Sequence, residues 1–457
     1  MTTEQKLACF KAYDIRGRVP EELNPEVAEA IGRAYAAVVQ PQGPVAIGWD
    51  IRLSSPELAQ ALTRGLNASG VDTQTLGQCG TEMIYHAASQ SGMGGGIMVT
   101  ASHNPMDYNG MKLVRDQAIP LSGDSGLPEM ERRVRENDLP PPTVHPGTNT
   151  AVDVLHSYVQ RILGFIEVPQ LKPLHLVVNA GNGAAGPVFD ALAEHLPFRI
   201  TRVHHEPDGH FPNGIPNPLL PENRSATAEA VQQHGADMGI AWDGDFDRCF
   251  FFDERGAFIE GYYMVGLLAA QILAKHPGGR VIHDTRLTWN TRDMARQAGG
   301  VPIMGRTGHA FMKDLMRSDD ALYAGEMSAH HYFRDFACCD SGMIPWLLIA
   351  EAMSVTGQPL SALVEARISA YPCSGEINFP VRDVAAAIGH IADHYAQLRP
   401  MIDTTDGISM DFDLWRFNLR GSNTEPMLRL NVESRGDAAL MQQRTQEISD
   451  LIAAFAQ

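Results

Sequence analysis

The chain has little that would tie it to a membrane, a nucleic acid or an oxidising compartment. Its six cysteines, Cys9, Cys79, Cys249, Cys338, Cys339 and Cys373, never fall in a C-x-x-C spacing, and two are adjacent. That is neither a disulfide framework nor a zinc site, and it points to a reducing compartment. Long apolar runs are missing as well. The longest, such as Tyr262–Ala274, fall short of the ~20 residues a membrane helix needs. The first residues, Met1-Thr-Thr-Glu-Gln-Lys, lack the basic start and apolar stretch of a signal peptide. A cytoplasmic protein is therefore expected. Positive charge is scarce: 36 basic against 54 acidic side chains give a net charge of −18. This argues against nucleic acid and anionic membrane as partners.

What remains is the composition of a globular enzyme. The 457 residues are 44% hydrophobic and 20% charged, enough for several domains with a substantial core. The acidic total does not exclude a phosphorylated substrate, because screening removes distant charge within about 8 Å at physiological salt. Local cations are available at Lys11, Arg16, Arg52, Lys112, Arg248, Arg286, Arg306 and Arg420. For each of these alone, a solvated surface side chain is the default.

Apolar runs recur in three similar groups: Val45–Trp49, Val71–Leu76 and Gly96–Val99; Leu174–Val178, Arg199–Val203 and Met238–Trp242; Val281–His283, Val301–Met304 and Ala321–Ala324. Amphipathic stretches such as Ser55–Ser69 and Glu222–His234 separate them. Strands alternating with helices predict α/β units with mostly parallel sheets. Ser55-Pro56-Glu57 reads as a capped helix start with proline at the first position. The proline run in Asp138–Thr143 reads as a linker. The C-terminal part differs, with strand-like Ile408–Phe412 and Met427–Val432 and a final helix Ala438–Phe455, an α+β pattern. The expected division is 1–148, 149–255, 256–368 and 369–457: three similar mixed or parallel α/β domains, then a smaller α+β domain.

Four loops carry chemistry. Val99-Thr-Ala-Ser102-His103-Asn-Pro105 offers a serine hydroxyl at a strand end, a candidate covalent nucleophile. Asp243-Gly-Asp245-Phe-Asp247-Arg248 sets three carboxylates at alternate positions between two strand-like runs. Their mutual repulsion calls for a hard divalent cation, and Mg²⁺ suits a site that also binds phosphate. A calcium loop is excluded, because Arg248 stands where that loop needs glycine. Gly325-Glu326-Met-Ser328-Ala-His330-His331 offers hydrogen-bonding groups for sugar hydroxyls and an imidazole that titrates near neutrality; His331 is expected to cap the next helix or to pack. Arg420-Gly-Ser422-Asn423-Thr424-Glu-Pro426 offers a guanidinium, hydroxyls and an amide, an anion cradle. In each α/β group the last run ends at one of these loops, where open α/β sheets bind ligands.

In this order the Thr-Ala-Ser-His-Asn-Pro and Asp-Gly-Asp-Phe-Asp-Arg stretches resemble the α-D-phosphohexomutase family, closest to the bacterial phosphomannomutases and phosphoglucomutases. The likeness runs from Lys11-Ala-Tyr13-Asp-Ile-Arg16-Gly17 to Arg420–Pro426. It implies four domains around a central cleft and a serine phosphorylated in the resting enzyme, here Ser102. It implies a Mg²⁺ ion on Ser102, Asp243, Asp245 and Asp247. Substrate contacts are implied for Tyr13, Arg16, Arg286, Arg306, His309, Glu326, Ser328, Arg420, Ser422, Asn423 and Thr424. Arg306 stands where the family commonly has lysine, which keeps the charge and changes the hydrogen-bond geometry. The implied reaction interconverts hexose 1-phosphate and hexose 6-phosphate through a hexose 1,6-bisphosphate, with mannose and glucose both open, for nucleotide-sugar and polysaccharide synthesis. Lys112 and Arg248 would stabilise the transferring oxygens. His330 would move the hydroxyl proton, with His103 and Lys112 as alternatives. The partner is a small sugar phosphate, and a monomer or small homo-oligomer is expected.

Three other readings stand beside this one. The same serine and carboxylates with water as acceptor would make a metal-dependent phosphatase. The same loops without turnover would make a sugar-phosphate sensor. Gly181-Asn-Gly183-Ala-Ala-Gly186 is a literal G-x-G-x-x-G, with Glu206 and Asp208 about 20 residues further on, as a nicotinamide-dependent oxidoreductase would have.

Overall fold

The computed structural model describes residues 8–123, 125–421 and 427–456. They form two compact units. One is the chain up to Phe258 together with His330–Gly357; the other is Ile259–Ala329 together with residues from 358 onward.

In the first unit, Val45–Trp49 pairs in parallel with Gly95–Val99 on one side and Thr73–Gln78 on the other. Gly95–Val99 then pairs antiparallel with Tyr108–Arg115, which carries Ile15–Arg18 at the sheet edge. The helices Pro25–Val39 and Ser55–Ala68 pack tightly together. A Cβ on Gly32 would lie 2.4 Å from the Leu62 carbonyl oxygen, and one on Gly65 would lie 2.1 Å from that of Glu29. Glycine inside these helices therefore gives up helix propensity for close approach. Ile31, Val45, Ile47, Leu62, Ile97 and Val99 form the core beneath them. The second sheet centres on His175–Asn179, parallel to Arg199–Val203 and Met238–Trp242. Met238–Trp242 turns back antiparallel into Cys249–Phe252, with Trp242 opposite Cys249. The same unit holds the hairpin His331–Phe333 with Cys339–Asp340 and the buried helix Met343–Thr356.

In the second unit, Arg280–Asp284 lies between Val301–Gly305 and Tyr323–Gly325, parallel to both. The C-terminal part is a five-stranded antiparallel sheet, ordered Ile377–Pro380, Met427–Ser434, Trp415–Gly421, Ile408–Asp411, Met401–Asp403. The helices Val384–Ala396 and Ala438–Ala453 cover it, capped by the Asp383 and Asp437 carboxylates. Among the described residues no single helix is long and apolar enough to cross a membrane.

The expected architecture is the one found, three α/β domains and an α+β module. Arg199–Val203 and Met238–Trp242 form strands as read, whereas the strand expected at Val71–Leu76 runs Thr73–Gln78. The final helix ends at Ala453 rather than Phe455. Ser55 is not a cap. Its hydroxyl donates to Asp50 Oδ1 at 2.6 Å, and Ser54 occupies the cap position without a side-chain bond to the helix N–H groups.

One feature repeats at the ends of the strands Val45–Trp49, His175–Asn179 and Arg280–Asp284, one in each α/β domain. A side-chain oxygen at the strand end accepts the N–H two residues on: Asp50 from Arg52 (3.0 Å), Asn179 from Gly181 (2.9 Å) and Asp284 from Arg286 (3.0 Å).

A buried ion pair anchors the second unit. Arg416, 3% exposed, donates to Glu433 Oε1 at 2.8 Å and to the carbonyls of Arg286 (2.9 Å) and Thr285 (3.0 Å). Glu433 also accepts from the Thr288 N–H (2.8 Å) and the Tyr262 hydroxyl. Removing one partner strands a buried charge. Arg416→Ala is expected to cost about 3–5 kcal/mol in urea unfolding; a loss below about 1 kcal/mol would show that the pair contributes little.

Candidate active site

Ser102 follows the strand Gly95–Val99 in a left-handed conformation, φ +49, which a serine adopts only when its surroundings impose it. Its hydroxyl donates to Asp243 Oδ2 at 2.8 Å and accepts from Arg248 Nη2 at 3.3 Å. His103 Nδ1 lies 3.0 Å from the same hydroxyl and accepts from Arg248. Burial, reinforced by Arg248, Arg16 and Lys112, pushes the His103 imidazole well below its ordinary value, so it is neutral. Arg16 joins this loop by donating to Asn104 Oδ1 at 2.6 Å, while its other nitrogen pairs with Asp14. Tyr13 is half-buried two residues before Ile15–Arg18.

The three aspartates lie in the tight connection between Met238–Trp242 and Cys249–Phe252, and all are buried. Phe246 supports the turn from inside with φ +47. Its ring presses on Gly80, where a Cβ would come within 2.0 Å. Thr81 donates from its N–H to the Asp245 carbonyl (3.2 Å) and from its hydroxyl to Asp245 Oδ2 (2.5 Å). Arg248 folds back on Asp243, Nε to Oδ2 at 2.8 Å. Lys112 Nζ bridges the other two carboxylates, 2.6 Å from Asp245 Oδ2 and in contact with Asp247. Burial pushes the Asp245 carboxyl up, but Lys112 and Thr81 outweigh it and hold it below its ordinary value. Asp247 is raised, first by burial and then by Asp245.

This arrangement suits a metal ion. One oxygen from each aspartate lies within 4.8 Å of the others. Asp245 Oδ1 and Asp247 Oδ1 are buried with no hydrogen-bond partner among the described residues. Hard, anionic oxygen donors left unsatisfied beside a lysine ammonium are the donor set of a divalent cation.

His330 belongs to the same unit. Its Nδ1 is 3.1 Å from Asp340 Oδ2 and 3.9 Å from Asp247 Oδ1. Burial lowers the imidazole, but Asp247 and Asp340 outweigh it and raise it above its ordinary value. His331 is fully buried in the next strand and is pushed down to about 3 by burial, in keeping with packing.

The second unit gathers a separate set of residues. Arg286, buried, donates to Asp284 Oδ2 (2.6 Å), Ser328 Oγ (3.3 Å) and Glu376 Oε2 (3.3 Å). Glu326 Oε1 accepts the Gly308 N–H at 3.0 Å, tying the 325–328 loop to the turn before His309, which opens the helix His309–Ser318. Arg306 stacks over the Phe311 ring, 4.3 Å from its centroid. Arg420 Nη2 reaches Glu376 Oε2 at 3.2 Å, and Arg429 reaches Oε1 at 3.3 Å. Ser422, Asn423 and Thr424 lie outside the described residues.

Three guanidiniums thus converge on Glu376. Burial pushes its carboxyl up, yet Arg286, Arg420 and Arg429 hold it at about 2. The folded value lies below the unfolded one, so its stabilisation is full above about pH 4.3 and is lost as pH falls toward the folded value. The melting-temperature gap between wild type and Glu376→Gln should be largest near neutrality and shrink at acid pH. A gap that does not change with pH would contradict this.

Sequence reasoning missed Asp50, Asp284, Thr81, Asp340 and Glu376, and took Arg52 for a surface cation although it is 2% exposed. The two Asp-x-Arg triplets, Asp50–Arg52 and Asp284–Arg286, at matching places in two of the repeated units were the available signal. The G-x-G-x-x-G turn has a packing explanation. Ala184 N–H donates to the Gly244 carbonyl at 3.1 Å, and a Cβ on Gly183 would come 2.9 Å from that same oxygen. The turn supports the aspartate loop from below.

A serine poised on an acidic metal-type loop, at the carboxyl ends of α/β sheets, defines the class as a phosphoryl-transfer enzyme. Comparison with known proteins narrows this. The four domain models of the phosphoglucomutase/phosphomannomutase family match in order: α/β/α domain I at residues 8–140, domain II at 156–256, domain III at 260–371 and the C-terminal domain at 376–451. The chain is 61% identical over 452 residues to the phosphohexose mutases of Xanthomonas campestris pv. campestris, covering 98% of this chain and 99% of that one. It is 57% identical over 452 residues to a phosphomannomutase of Salmonella montevideo, with the same coverage. A crystal structure of a phosphoglucomutase/phosphomannomutase family protein from Burkholderia thailandensis superimposes with a TM-score of 0.87 at 33% identity, over 98% of both chains. The chain belongs to the phosphoglucomutase/phosphomannomutase family of hexose phosphate mutases.

Proposed function

We propose that this protein interconverts mannose 1-phosphate and mannose 6-phosphate, and also the glucose phosphates, through a phosphorylated Ser102 and a hexose 1,6-bisphosphate. The proposed domain limits are those stated from the sequence. The observation that carries the reading is the meeting of Ser102 Oγ with Asp243 at 2.8 Å and Arg248 at 3.3 Å, three groups from two distant loops.

Ser102, Asp243, Asp245 and Asp247 would hold Mg²⁺, which when bound offsets negative charge at the serine oxygen and the transferring oxygens. A free sugar hydroxyl attacks the phosphoryl group on Ser102. The new P–O bond forms to the sugar, the bond to Oγ breaks, and His330 takes the hydroxyl proton. Arg248 and Lys112 stabilise the charge on the transferring oxygens. The bisphosphate turns over, and Ser102 takes back the phosphoryl group from the other end. Glu326, Ser328, His309, Arg306 and Arg286 bind sugar hydroxyls and phosphate, Tyr13 and Arg16 border the reacting end, and Arg420 with Ser422, Asn423 and Thr424 binds the phosphate that is not reacting. His103, buried and accepting from Arg248 at Nδ1, is an acceptor and not the proton carrier.

The test is to run mannose 1-phosphate and glucose 1-phosphate side by side, each labelled in phosphorus and given trace bisphosphate. The label should appear in the 6-phosphates. Release of the label as inorganic phosphate on each turnover would instead identify a phosphatase.

A further inference from the structure

One buried side chain holds the nucleophile's loop from behind. Arg52, at 2% exposure, donates to four carbonyls between residues 102 and 108: Nη2 to those of Ser102 (2.9 Å) and Asn104 (2.6 Å), and Nη1 to those of Pro105 (2.7 Å) and Tyr108 (2.9 Å). The planar fork spends its terminal donors on main-chain oxygens alone, and Phe211 covers its face at 5.3 Å. Its Nε lies 3.4 Å from Asp50 Oδ2. That same carboxylate oxygen accepts the Thr100 hydroxyl at 2.7 Å, and Thr100 Oγ1 accepts the Ser102 N–H at 2.8 Å. Both main-chain polar groups of Ser102 are therefore tied to one buried ion pair, the carbonyl through Arg52 and the N–H through Thr100 and Asp50. These bonds oppose the cost of a left-handed serine, on the order of 1–3 kcal/mol. The aspartate loop adds a limit from the other side, since a Cβ on Gly244 would stand 2.7 Å from the Ser102 carbonyl oxygen. The matching arginine of the repeat, Arg286, likewise reaches the loop after a later strand, at Ser328.

We propose that Arg52, with Asp50 and Thr100, is a positioning residue for phosphoryl transfer. It fixes the Ser102 backbone so that Oγ stands against Asp243 and Arg248 when the phosphoryl group arrives and when it leaves. The proposal rests on the reading that Ser102 carries the phosphate. A freed Ser102 would relax out of the left-handed region and carry Oγ off its line. A displacement near 1 Å costs on the order of 100-fold in rate.

The experiment starts from dephosphorylated full-length protein and glucose 1,6-bisphosphate. Phosphoryl passes to Ser102 Oγ as a sugar P–O bond breaks, and the serine proton ends on the released sugar hydroxyl. Intact mass follows the gain of about 80 Da in wild type, Arg52→Lys, Thr100→Val and Thr100→Ser, with steady-state kcat and KM alongside. Arg52→Lys is expected to slow phosphorylation and kcat at least about tenfold while KM moves less than about threefold, because an ammonium cannot reproduce a fork that reaches four carbonyls. Thr100→Val should show the same split more weakly, and Thr100→Ser, which keeps the acceptor, should behave as wild type. The Thr100 pair carries the test if Arg52→Lys does not fold. Wild-type phosphorylation rates in both Arg52→Lys and Thr100→Val, or a lower melting temperature with unchanged kcat, would overturn the proposal. No uptake by wild type would overturn the phosphoserine reading itself, and this proposal with it.

Discussion

Ser102→Ala should give a folded protein that gains no phosphate from a hexose bisphosphate and loses on the order of 10⁴-fold or more in mutase turnover. The loss is large because, in the proposed mechanism, this hydroxyl carries the phosphoryl group between two sugar positions. The neighbouring imidazole cannot substitute, since His103 Nδ1 accepts from Arg248. Stability should change little. Asp243 keeps its bond from Arg248 Nε at 2.8 Å when the serine hydroxyl goes, and alanine carries no larger side chain into the turn. Intact mass and a coupled assay read both halves of the prediction. An alanine variant that turns over at the wild-type rate would remove Ser102 from the mechanism.

Asp245→Asn should weaken binding of a divalent cation by about 100-fold or more and lower turnover with it, in part recoverable at high metal concentration. Asp245 lies at the centre of the acidic loop, with Oδ2 held by Thr81 and Lys112 and Oδ1 left without a hydrogen-bond partner among the described residues. An amide removes one charge and can turn its own donors toward the Lys112 ammonium. Equilibrium dialysis with Mg²⁺ or Mn²⁺ measures this without reference to catalysis. An unchanged binding isotherm would strike Asp245 from the ligand set.

How far the site was legible depended on how locally each part is specified. The aspartate loop needs only a six-residue connection between two strands, and Met238–Trp242 and Cys249–Phe252 are legible from their unbroken apolar character. For His331 the sequence left a helix cap or packing open, and its place in the buried strand His331–Phe333 decides for packing. Arg52 was not legible, because a guanidinium reads as surface charge until four carbonyls from residues 102–108 are folded around it. Nor was Glu376, whose carboxylate acquires meaning only from three arginines contributed by three separate strands and loops. Ser55 shows the same limit on a small scale. Its sequence context is that of a cap, but a buried Asp50 competes for the hydroxyl and wins.

By itself the sequence determined the alternation of strands and helices, the α+β character of the C-terminal part, and the loops that carry the serine and the aspartates. Apolar periodicity, glycine and proline placement and short-range charge repulsion act over a few residues, so they can be read in order along the chain. Only the tertiary structure decided which charges are buried, which partner each one has, and how the backbone of Ser102 is held. Those depend on desolvation and on contacts across 50 to 141 residues of sequence, such as Arg52 with Ser102 and Ser102 with Asp243, and these contacts exist only after the sheets have closed around them.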